Sequence, residues 1–411
     1  MPFPVILFDK SFLHGLNPKE AKILNYLFIT NITSELFMEV LGDLEQKNIA
    51  MNECEKSVAS LSYKMPKFNS YLNIPYNLLC ISELLGNSVE LNNVPLIKEG
   101  DETEKSIVFE EPYELSLFKE WLNGDFTEAH KQAAKAYRHN LTLISQVHEP
   151  ILEKQILQFA GDQIFNDMNV DKLDKSIAKG KIKEFVNLIL YKNSRHNLIK
   201  FCMDILGVIS EHREEIMKRW RAGGGVSLSE FAPYTTYVLS VYLYFYMIMR
   251  YEISHKGKRP KLNDPANWMD LSYFFYLPFT NIFISKDNFH IDNIDYFIQT
   301  GQLFISGKNM KQELSSLVAY YSAKEKTPSQ SLFQLICFPP IEGDFLASEL
   351  YDQFYPDWRE HARNPIEITP ELNQAVNSQL NIPYKDPDGT LRKPMVFERN
   401  NISEDWLRFE K

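Results

Sequence analysis

The chain has 411 residues, of which 44% are hydrophobic and 13% aromatic, and its formal net charge is −10. This composition excludes a disordered or fibrous protein, and the length predicts two or three structural units. The negative charge argues against broad electrostatic attraction to nucleic acid or to anionic membranes, so any contact with nucleic acid must be local.

The sequence predicts a protein of the reducing cytoplasm. The amino terminus MPFPVILFDK has no basic segment before its apolar residues and therefore does not resemble a signal peptide. The apolar stretch Tyr237 to Met249 is shorter than a bilayer crossing and is followed by charged residues, which indicates a buried helix. The cysteines lack CxxC spacing, which argues against a zinc knuckle or a disulfide framework; they are Cys54, Cys80, Cys202 and Cys337.

The first 48 residues predict two pairs of a strand and a helix. Residues 4–8, PVILF, form an apolar run that ends at Asp9 and is typical of a buried parallel strand. Asn17 and Glu20 provide the cap and the N3 acid of a capping box for the next helix. A second apolar run, residues 27–32, leads into the helical sequence SELFMEVLGDLEQ. This β-α-β-α order indicates an α/β layer.

From about residue 50 to residue 255 the sequence has mostly helical periodicity, and the α/β pattern then resumes. The run NIFIS at 281–285 predicts a strand, and a further strand and helix are expected at 303–306 and 310–322. We therefore predict an α/β core with a short central parallel sheet, interrupted by a large, mainly α-helical insertion. The predicted segments are the first half of the core (1–48), the helical insertion (49–254), the second half of the core (255–325) and a C-terminal appendage (326–411).

Acidic residues occupy similar positions in both halves of this predicted core. Asp9 follows the first strand and Asp287 follows the strand NIFIS, while Asp270 lies early in the helix that precedes that strand. Glu39 and Asp43 are four positions apart and are expected to share one helix face. Because ligands of open α/β sheets bind beyond the carboxyl ends of the strands, we expect these carboxylates to converge.

The chemistry of these side chains predicts a metal site. Hard divalent cations such as Mg²⁺ and Mn²⁺ prefer carboxylate oxygens. Two such ions held about 3.5 to 4 Å apart can orient an attacking water, lower its pKa and stabilise the departing oxygen of a phosphodiester. No covalent nucleophile is then required. The predicted metal ligands are Asp9, Glu39, Asp270 and Asp287, with Asp43 as a supplement.

Two stretches of the chain resemble the two halves of a PIN domain. FDKSF followed by NITSELFMEVLGDLE resembles the first half, and NDPANWMDLSYFFYLPFTNIFISKDNFH resembles the second. PIN domains are nucleases whose acidic cluster binds divalent metal, and many bacterial members are ribonucleases of toxin or defence systems. The resemblance covers roughly residues 4–48 and 260–325, and the long insertion departs from the family pattern. It implies catalytic roles for the acid after the first strand, the acid of the second helix and the late pair, which are Asp9, Glu39, Asp270 and Asp287.

Each acid also has a simpler explanation. A single Asp at a strand end is more often a turn or N-cap residue than a metal ligand, and Glu39 and Asp43 could form a solvated helix face. The joint occurrence of four acids at matching positions favours the metal site. Like charges four residues apart are unfavourable unless a cation lies between them, which also favours metal. Asp264 is followed by Pro265 and is expected to be a helix cap.

The segment before the late acids is basic. It contains His255, Lys256, Lys258, Arg259 and Lys261. A positively charged approach to the acidic site would hold backbone phosphates, so we assign nucleic-acid contact to the three lysines and the arginine. An ordinary solvated basic loop explains the run equally well.

Other polar residues close to the acids leave alternatives open. Lys10 and Ser11 could contact substrate or simply lie on the surface. His290 could steady a phosphate or a carboxylate, with a capping role favoured. Arg250 and His255 match the R-x4-H spacing of HEPN ribonucleases, which we interpret as coincidence because no second copy is present.

The predicted function is metal-dependent hydrolysis of phosphodiester bonds in nucleic acid by a metal-activated water, with RNA favoured over DNA. The helical insertion would shape substrate access, bind a partner protein or restrain the nuclease. The first alternative is a catalytically silent PIN-like or helical scaffold for protein–protein interaction. The second is a phosphatase or nucleotide hydrolase that uses the same acids. ATP-driven action is not indicated, because the sequence has no Walker-type GxxxxGK[ST] loop.

Overall fold

The chain forms two compact units in the computed structural model. The main unit comprises residues 1–98 and 105–356, and the second comprises residues 99–104 and 357–411. The main unit therefore continues past residue 326, where the sequence suggested a C-terminal appendage. The described residues are 3–45, 50–65, 69–93, 95, 113–122, 127–143, 173–192, 196–256, 265–324, 336–363, 384–385 and 391–392.

The main unit is organised around a five-stranded sheet in which all the strands are parallel. The strand order is β3-β2-β1-β4-β5. The central strands β1, β2 and β4 are buried at every residue, as strands covered on both faces must be. The mixed α/β class and the short parallel sheet are thus confirmed. The strands are β1 (Val5–Phe8), β2 (Ile29–Ile32), β3 (Ser70–Leu72), β4 (Ile282–Ser285) and β5 (Leu303–Ser306).

Strand β1 joins the two predicted halves of the core. Leu7 lies opposite Asn31 of β2 on one side and opposite Phe283 of β4 on the other. The side chain of Asn281 accepts a hydrogen bond from the backbone N–H of Val5 at 2.8 Å, which helps to fix the register of β1 against β4. The prediction that the chain returns after the helical segment to complete the same sheet is confirmed.

Strand β3 was not predicted, and it comes from the segment 49–254 that the sequence assigned to the helical insertion. It pairs with β2 at the edge of the sheet, where Tyr71 lies opposite Asn31. Asn73 continues this pairing, because its backbone N–H donates to the carbonyl of Ile32 at 2.8 Å. The strand is only three residues long and partly exposed, so it has too little apolar pattern to predict from sequence. The chain therefore contributes to the sheet up to residue 72, beyond the predicted limit of residue 48.

The first three helices of the amino-terminal region begin at side-chain caps. Asn17 and Glu20 form the expected capping box. The hydroxyl of Thr33 accepts from the backbone N–H of Leu36 at 2.9 Å and caps the next helix. These helices are α1 (Lys10–Gly15), α2 (Pro18–Leu27), α3 (Ser34–Leu41), α4 (Met51–Tyr63) and α5 (Tyr76–Leu85), with a 3₁₀ turn at Gly42–Glu45 after α3.

The described part of the segment between β3 and β4 is helical. Its last long helix is held by Glu83 of α5, whose carboxylate accepts from the backbone N–H groups of Tyr234 and Thr235 at 2.9 and 2.7 Å. These N–H groups belong to the first turn, where a helix has no internal acceptors for them. The helices are α6 (Tyr113–Leu122), α7 (Glu128–Leu143), α8 (Lys175–Lys192), α9 (His196–Ile205), α10 (Ser210–Ala222), α11 (Leu228–Phe231) and α12 (Pro233–Lys256).

The segment after α12 rebuilds the α/β pattern around β4 and β5. The helix that precedes β4 changes at Phe274 into a 3₁₀ helix that includes Pro278, which lacks the N–H that an α-helix would use there. Further on, the backbone N–H of Ala347 donates to Glu313 at 3.0 Å, so this later part of the chain packs in the main unit. The helices are α13 (Pro265–Tyr273), α14 (Asn288–Asn293), α15 (Gly307–Ala323) and α16 (Leu346–Phe354), with 3₁₀ helices at Phe274–Phe279 and Ile294–Tyr296.

The described residues of the second unit form a helix and a small antiparallel pair of strands. The helix is α17 (Trp358–Arg363), and the strands are β6 (Tyr384–Lys385) and β7 (Leu391–Arg392). Residues 386–390, between these two strands, lie outside the described part of the chain.

Candidate active site

The carboxyl ends of β1 and β4 lie side by side and are followed by two of the predicted acids. Phe8 lies opposite Ile284, and the backbone N–H of Asp9 donates to the Ile284 carbonyl at 3.4 Å. Asp9 is the first residue after β1, and Asp287 is the second residue after β4. The parallel sheet thus brings both acids to one edge, although the helical segment separates them in the sequence.

The carboxylate of Asp9 is buried and accepts hydrogen bonds on both oxygens. Oδ1 accepts from the backbone N–H of Phe12 at 2.8 Å, which caps α1. The hydroxyl of Ser285, the last residue of β4, donates to Oδ2 at 2.6 Å. The hydroxyl of Ser11 lies 2.9 Å from each oxygen. Asp9 is therefore an N-cap, as the simpler explanation expected, and it also links β1 to β4.

The buried ring of His290 joins three of the elements that form the site. Nε2 lies 2.7 Å from the backbone carbonyl of Asp270 and must donate, because a carbonyl only accepts. Nδ1 lies 2.8 Å from the Ser285 hydroxyl, which gives its single proton to Asp9 and also accepts from the N–H of Asp287 at 2.9 Å. With Asp9 ionised, Nδ1 must then donate as well, so we assign His290 as a doubly protonated imidazolium.

The titration of Asp9 and His290 agrees with this assignment. Burial alone would raise the pKa of Asp9, but contact with the imidazolium holds it below its ordinary value. Burial alone would lower the pKa of His290, but the carboxylate of Asp9 raises it above the ordinary value. Nδ1 lies 3.5 Å from Asp9 Oδ2, so the two groups form a buried ion pair.

Asp270 is the least compensated acid of the site. It is the sixth residue of α13, and its carboxylate has no hydrogen bond or ion pair with any residue that the structure describes. Burial raises its pKa to about 7; His290 opposes this change, while the charges of Asp287, Glu39 and Asp9 add to it. The other three predicted acids are therefore within electrostatic range of Asp270.

Glu39 lies on α3 and contacts the late part of the core through Tyr273. The Tyr273 hydroxyl donates to Glu39 Oε2 at 3.0 Å. Burial raises the pKa of Glu39, whereas the charge of Lys10 and the hydrogen bond from Tyr273 oppose that increase. Glu39 thus connects the first half of the core to the last residue of α13.

The sequence placed Glu39 and Asp43 on one helix, but Asp43 lies beyond the end of α3, although both carboxylates contact the same cation. α3 ends at Leu41, and Asp43 lies in the following 3₁₀ turn. The Lys10 ammonium lies 2.8 Å from Asp43 Oδ2 and 3.8 Å from Glu39 Oε1, and Arg138 of α7 lies 3.6 Å from Asp43 Oδ1. The cation between the two acids is therefore a lysine side chain.

Asp287 combines a cap with a free oxygen. Its Oδ1 accepts from the backbone N–H of Phe289 at 2.6 Å and caps α14. Its Oδ2 has no partner among the residues that the structure describes. Like Asp9, it takes the capping role that the simpler explanation predicts for an acid at a strand end.

The donor set fits a hard divalent cation in its chemistry, because all four side chains offer carboxylate oxygens and Asp270 forms no ion pair with a described residue. Across the described ranges, no group of three or more His, Cys, Asp or Glu side chains is arranged closely enough to hold a metal ion. The four acids therefore suit a divalent cation by residue type and charge, but their positions do not form a ready metal-binding geometry within the described residues.

Most of the predicted nucleic-acid-binding loop lies outside the described residues. Lys258, Arg259 and Lys261 belong to the undescribed range 257–264, as does the predicted cap Asp264. Lys256 is the last residue of α12, and its side chain is not described.

Four residues of the site were missed or placed differently by sequence reasoning. His290 contacts a carboxylate, which the sequence allowed but did not favour. Ser285 could have been recognised as the strand-end residue beside Asp9. Tyr273 and Arg138 gave no signal, because their roles depend on how α13 and α7 pack against α3 and the turn that follows it.

The fold and site together define an α/β protein with an all-parallel sheet and an acidic cluster at the carboxyl edge of that sheet. Comparison of the chain with family models, curated proteins and solved structures found no match. None of the helices in the described part of the chain combines the length and apolarity needed to cross a membrane.

Proposed function

We propose that this chain is a metal-dependent nuclease with a PIN-like core, which hydrolyses phosphodiester bonds of nucleic acid, with RNA favoured over DNA. One observation supports it above the others: acids from both halves of the chain lie around the carboxyl edge of one parallel sheet, where burial and the charges of the neighbouring acids raise the pKa of Asp270 to about 7. Perturbed carboxyl groups at that edge are typical of catalytic sites.

In this proposal Mg²⁺ or Mn²⁺ would be held by Asp9, Glu39, Asp270 and Asp287, with Asp43 assisting. When bound, such an ion makes water a better nucleophile at neutral pH and offsets the charge that develops on the phosphate. The positions of Asp9 and Asp287 are fixed by their hydrogen bonds to backbone N–H groups.

Asp270 would act as a metal ligand whose charge depends on the ion. Without metal its pKa is about 7, so it is only partly ionised at neutral pH. A bound divalent cation would favour the ionised form and offset the acidic charges around it. The His290 imidazolium keeps Asp9 ionised and holds the Asp270 backbone through its carbonyl. These two contacts position Asp270 relative to the strand-end acids.

A catalytically silent scaffold is the second candidate, and one observation favours it. Asp43 is already paired with Lys10 and Arg138, and Asp9 and Asp287 both serve as helix caps. In this alternative the acids stabilise the fold, and the helical segment binds other proteins.

Cleavage assays separate these candidates. Purified protein with Mn²⁺ is incubated with labelled single-stranded RNA, single-stranded DNA and mononucleotides, beside the variants Asp270→Asn and Asp287→Asn. The exposed Asp292 provides the control Asp292→Asn. Cleavage of RNA that both site variants abolish and the control retains is the expected result. Absence of cleavage on every substrate, with no Mn²⁺-dependent thermal shift, would favour the scaffold, and hydrolysis of mononucleotides alone would indicate a phosphatase or nucleotide hydrolase.

A further inference from the structure

Lysine side chains from distant parts of the chain meet at the carboxyl end of α1. Lys64 is a buried residue, and its ammonium donates to the backbone carbonyls of Leu13 and His14 at 3.3 and 3.0 Å. The Lys311 ammonium donates to the carbonyl of Gly15. Two ammonium groups therefore donate to three successive backbone carbonyls at the carboxyl end of α1, where the partial negative charge of the helix attracts cations.

Lys286 is the third member of this cluster, and two glycines make room for it. A Cβ atom on Gly15 would lie 2.1 Å from the Lys286 Nζ, and one on Gly307 would lie 2.5 Å from its Cγ. Neither glycine has a positive φ, so backbone conformation does not explain them. The space that they leave is occupied by Lys286, which runs between α1 and the start of α15.

The cluster has more positive than negative charge. Glu20 faces it, with its Oε2 3.8 Å from the Lys311 ammonium, but three ammonium groups exceed one carboxylate and the partial charge of a helix end. Burial lowers the pKa of Lys64, and the charges of Lys311 and Lys286 lower it further. The side chain of Lys311 is 42% exposed, so the cluster is open to an anion from solvent.

The cluster lies beside the acidic site. Lys286 stands between Ser285, which donates to Asp9, and Asp287. α1 begins next to Asp9 and ends at the cluster, and its six residues span about 9 Å at about 1.5 Å per residue. An anion at the cluster would thus lie a short distance along the same sheet edge from the acids.

We propose that Lys64, Lys286 and Lys311 bind a backbone phosphate of single-stranded RNA, adjacent to the phosphodiester that the acids would cleave. This inference rests on the proposed nuclease function. Lysine ammonium groups are compact point charges that suit phosphate, and backbone contacts of this kind fix a substrate without reading its sequence. The site also explains how a chain with a net charge of −10 holds a polyanion locally.

The test is equilibrium binding of a short labelled single-stranded RNA, measured by fluorescence anisotropy in EDTA at several salt concentrations. The variants are Lys286→Ala, Lys311→Ala and the pair combined, with Lys286→Arg and Lys311→Arg to retain the charge. Lys64 is left unchanged because it also caps α1. The exposed Lys218 supplies the control Lys218→Ala, and polyglutamate serves as a competing polyanion without phosphate.

The combined alanine variant should lower the slope of log K against log salt by up to about 0.7, the value for one phosphate contact to a single strand, and each single substitution should lower it by part of that amount. Affinity should fall several-fold, while the arginine variants and the control bind like the wild type. Unchanged slopes, no binding by the wild type, or displacement by polyglutamate as effective as by unlabelled RNA would overturn the inference.

This binding experiment is independent of cleavage, because EDTA removes divalent metal. Lysine-dependent binding by a protein that never cleaves RNA would overturn the nuclease function and leave the phosphate site standing. If the protein cleaves RNA but its lysine variants bind RNA normally, the phosphate site is overturned and the nuclease function stands.

Discussion

Replacing Asp270 by asparagine should stabilise the folded protein above neutral pH. The carboxylate has no hydrogen bond or ion pair within the described residues, and it lies in the field of Asp287, Glu39 and Asp9. Burial, together with these acidic neighbours, raises its pKa from an ordinary value of 3.8 to about 7. An amide of nearly the same shape has no charge, so the substitution removes the cost of ionising a buried group.

The sign and size of the effect follow from proton linkage. Between pH 3.8 and about 7 the folded state retains a proton that the unfolded state releases, so the free energy of unfolding falls as the pH rises. A difference of about three units at about 1.36 kcal/mol per unit gives roughly 4 kcal/mol as an upper limit. Because Asp270 is partly exposed and its acidic neighbours can adjust, we expect about 2 kcal/mol at alkaline pH.

Urea unfolding in EDTA at pH values from about 5 to about 8 measures this effect. The wild-type midpoint should fall across the range, and the Asp270→Asn midpoint should fall less and exceed it at the alkaline end. Asp292→Asn, at an exposed position, should follow the wild type. Parallel curves for wild type and Asp270→Asn, or a less stable variant at alkaline pH, would refute the electrostatic reasoning.

Three further substitutions test other contacts of the site and fold. His290→Gln should cost about 3 kcal/mol in thermal unfolding, since it leaves the buried Asp9 without its charge partner. The stability that Asp9 contributes is lost as pH falls and that of His290 is lost as pH rises, so the cost should be largest between about pH 4 and 6.5. A cost that does not change with pH would contradict the ion pair. Lys10→Met should cost about 1 to 3 kcal/mol in urea unfolding, because the buried Asp43 loses its closer cation; stability equal to the wild type would show that this pair contributes nothing. Glu83→Gln should cost about 1 to 2 kcal/mol in the same assay, because an amide offers one acceptor oxygen where the carboxylate accepts on two, and a loss of a few tenths would mean that the cap is dispensable.

Much of the core could be predicted from sequence because its signals are local. Asn17 and Glu20 bond to each other's backbone within one helical turn, so the capping box is visible in four residues. β1 and β4 are buried on both faces and therefore appear as short apolar runs. The acids at their ends could be expected to meet, because parallel strands place their carboxyl ends at one edge.

The parts that could not be predicted depend on packing between distant segments. β3 is short and partly exposed, so its place in the sheet is set by pairing with β2 and not by its own residues. Lys10 and Arg138 reach Asp43 only because α1 and α7 pack around the turn after α3. The sequence indicated a cation between Glu39 and Asp43 but gave no means of distinguishing a metal from a lysine of the same chain.

Helix α7, from the helical segment between β3 and β4, contributes to the acidic site through Arg138, and a substitution at Gly42 tests this contact. α7 packs against the turn after α3, and a Cβ atom on Gly42 would lie 3.0 Å from the ring of Tyr137 and 3.3 Å from Nε of Arg138. Its φ of −56° suits alanine, so Gly42→Ala introduces a steric clash without backbone strain. The substitution should push α7 away and cost about 1 to 2 kcal/mol in urea unfolding.

Gly180→Ala is the matched control, because nothing lies within 4 Å of its added Cβ and alanine favours a helix there by about 0.5 to 1 kcal/mol. If Gly42→Ala were as stable as Gly180→Ala, α7 would not be tightly packed on the turn, and Arg138 would not be a fixed partner of Asp43.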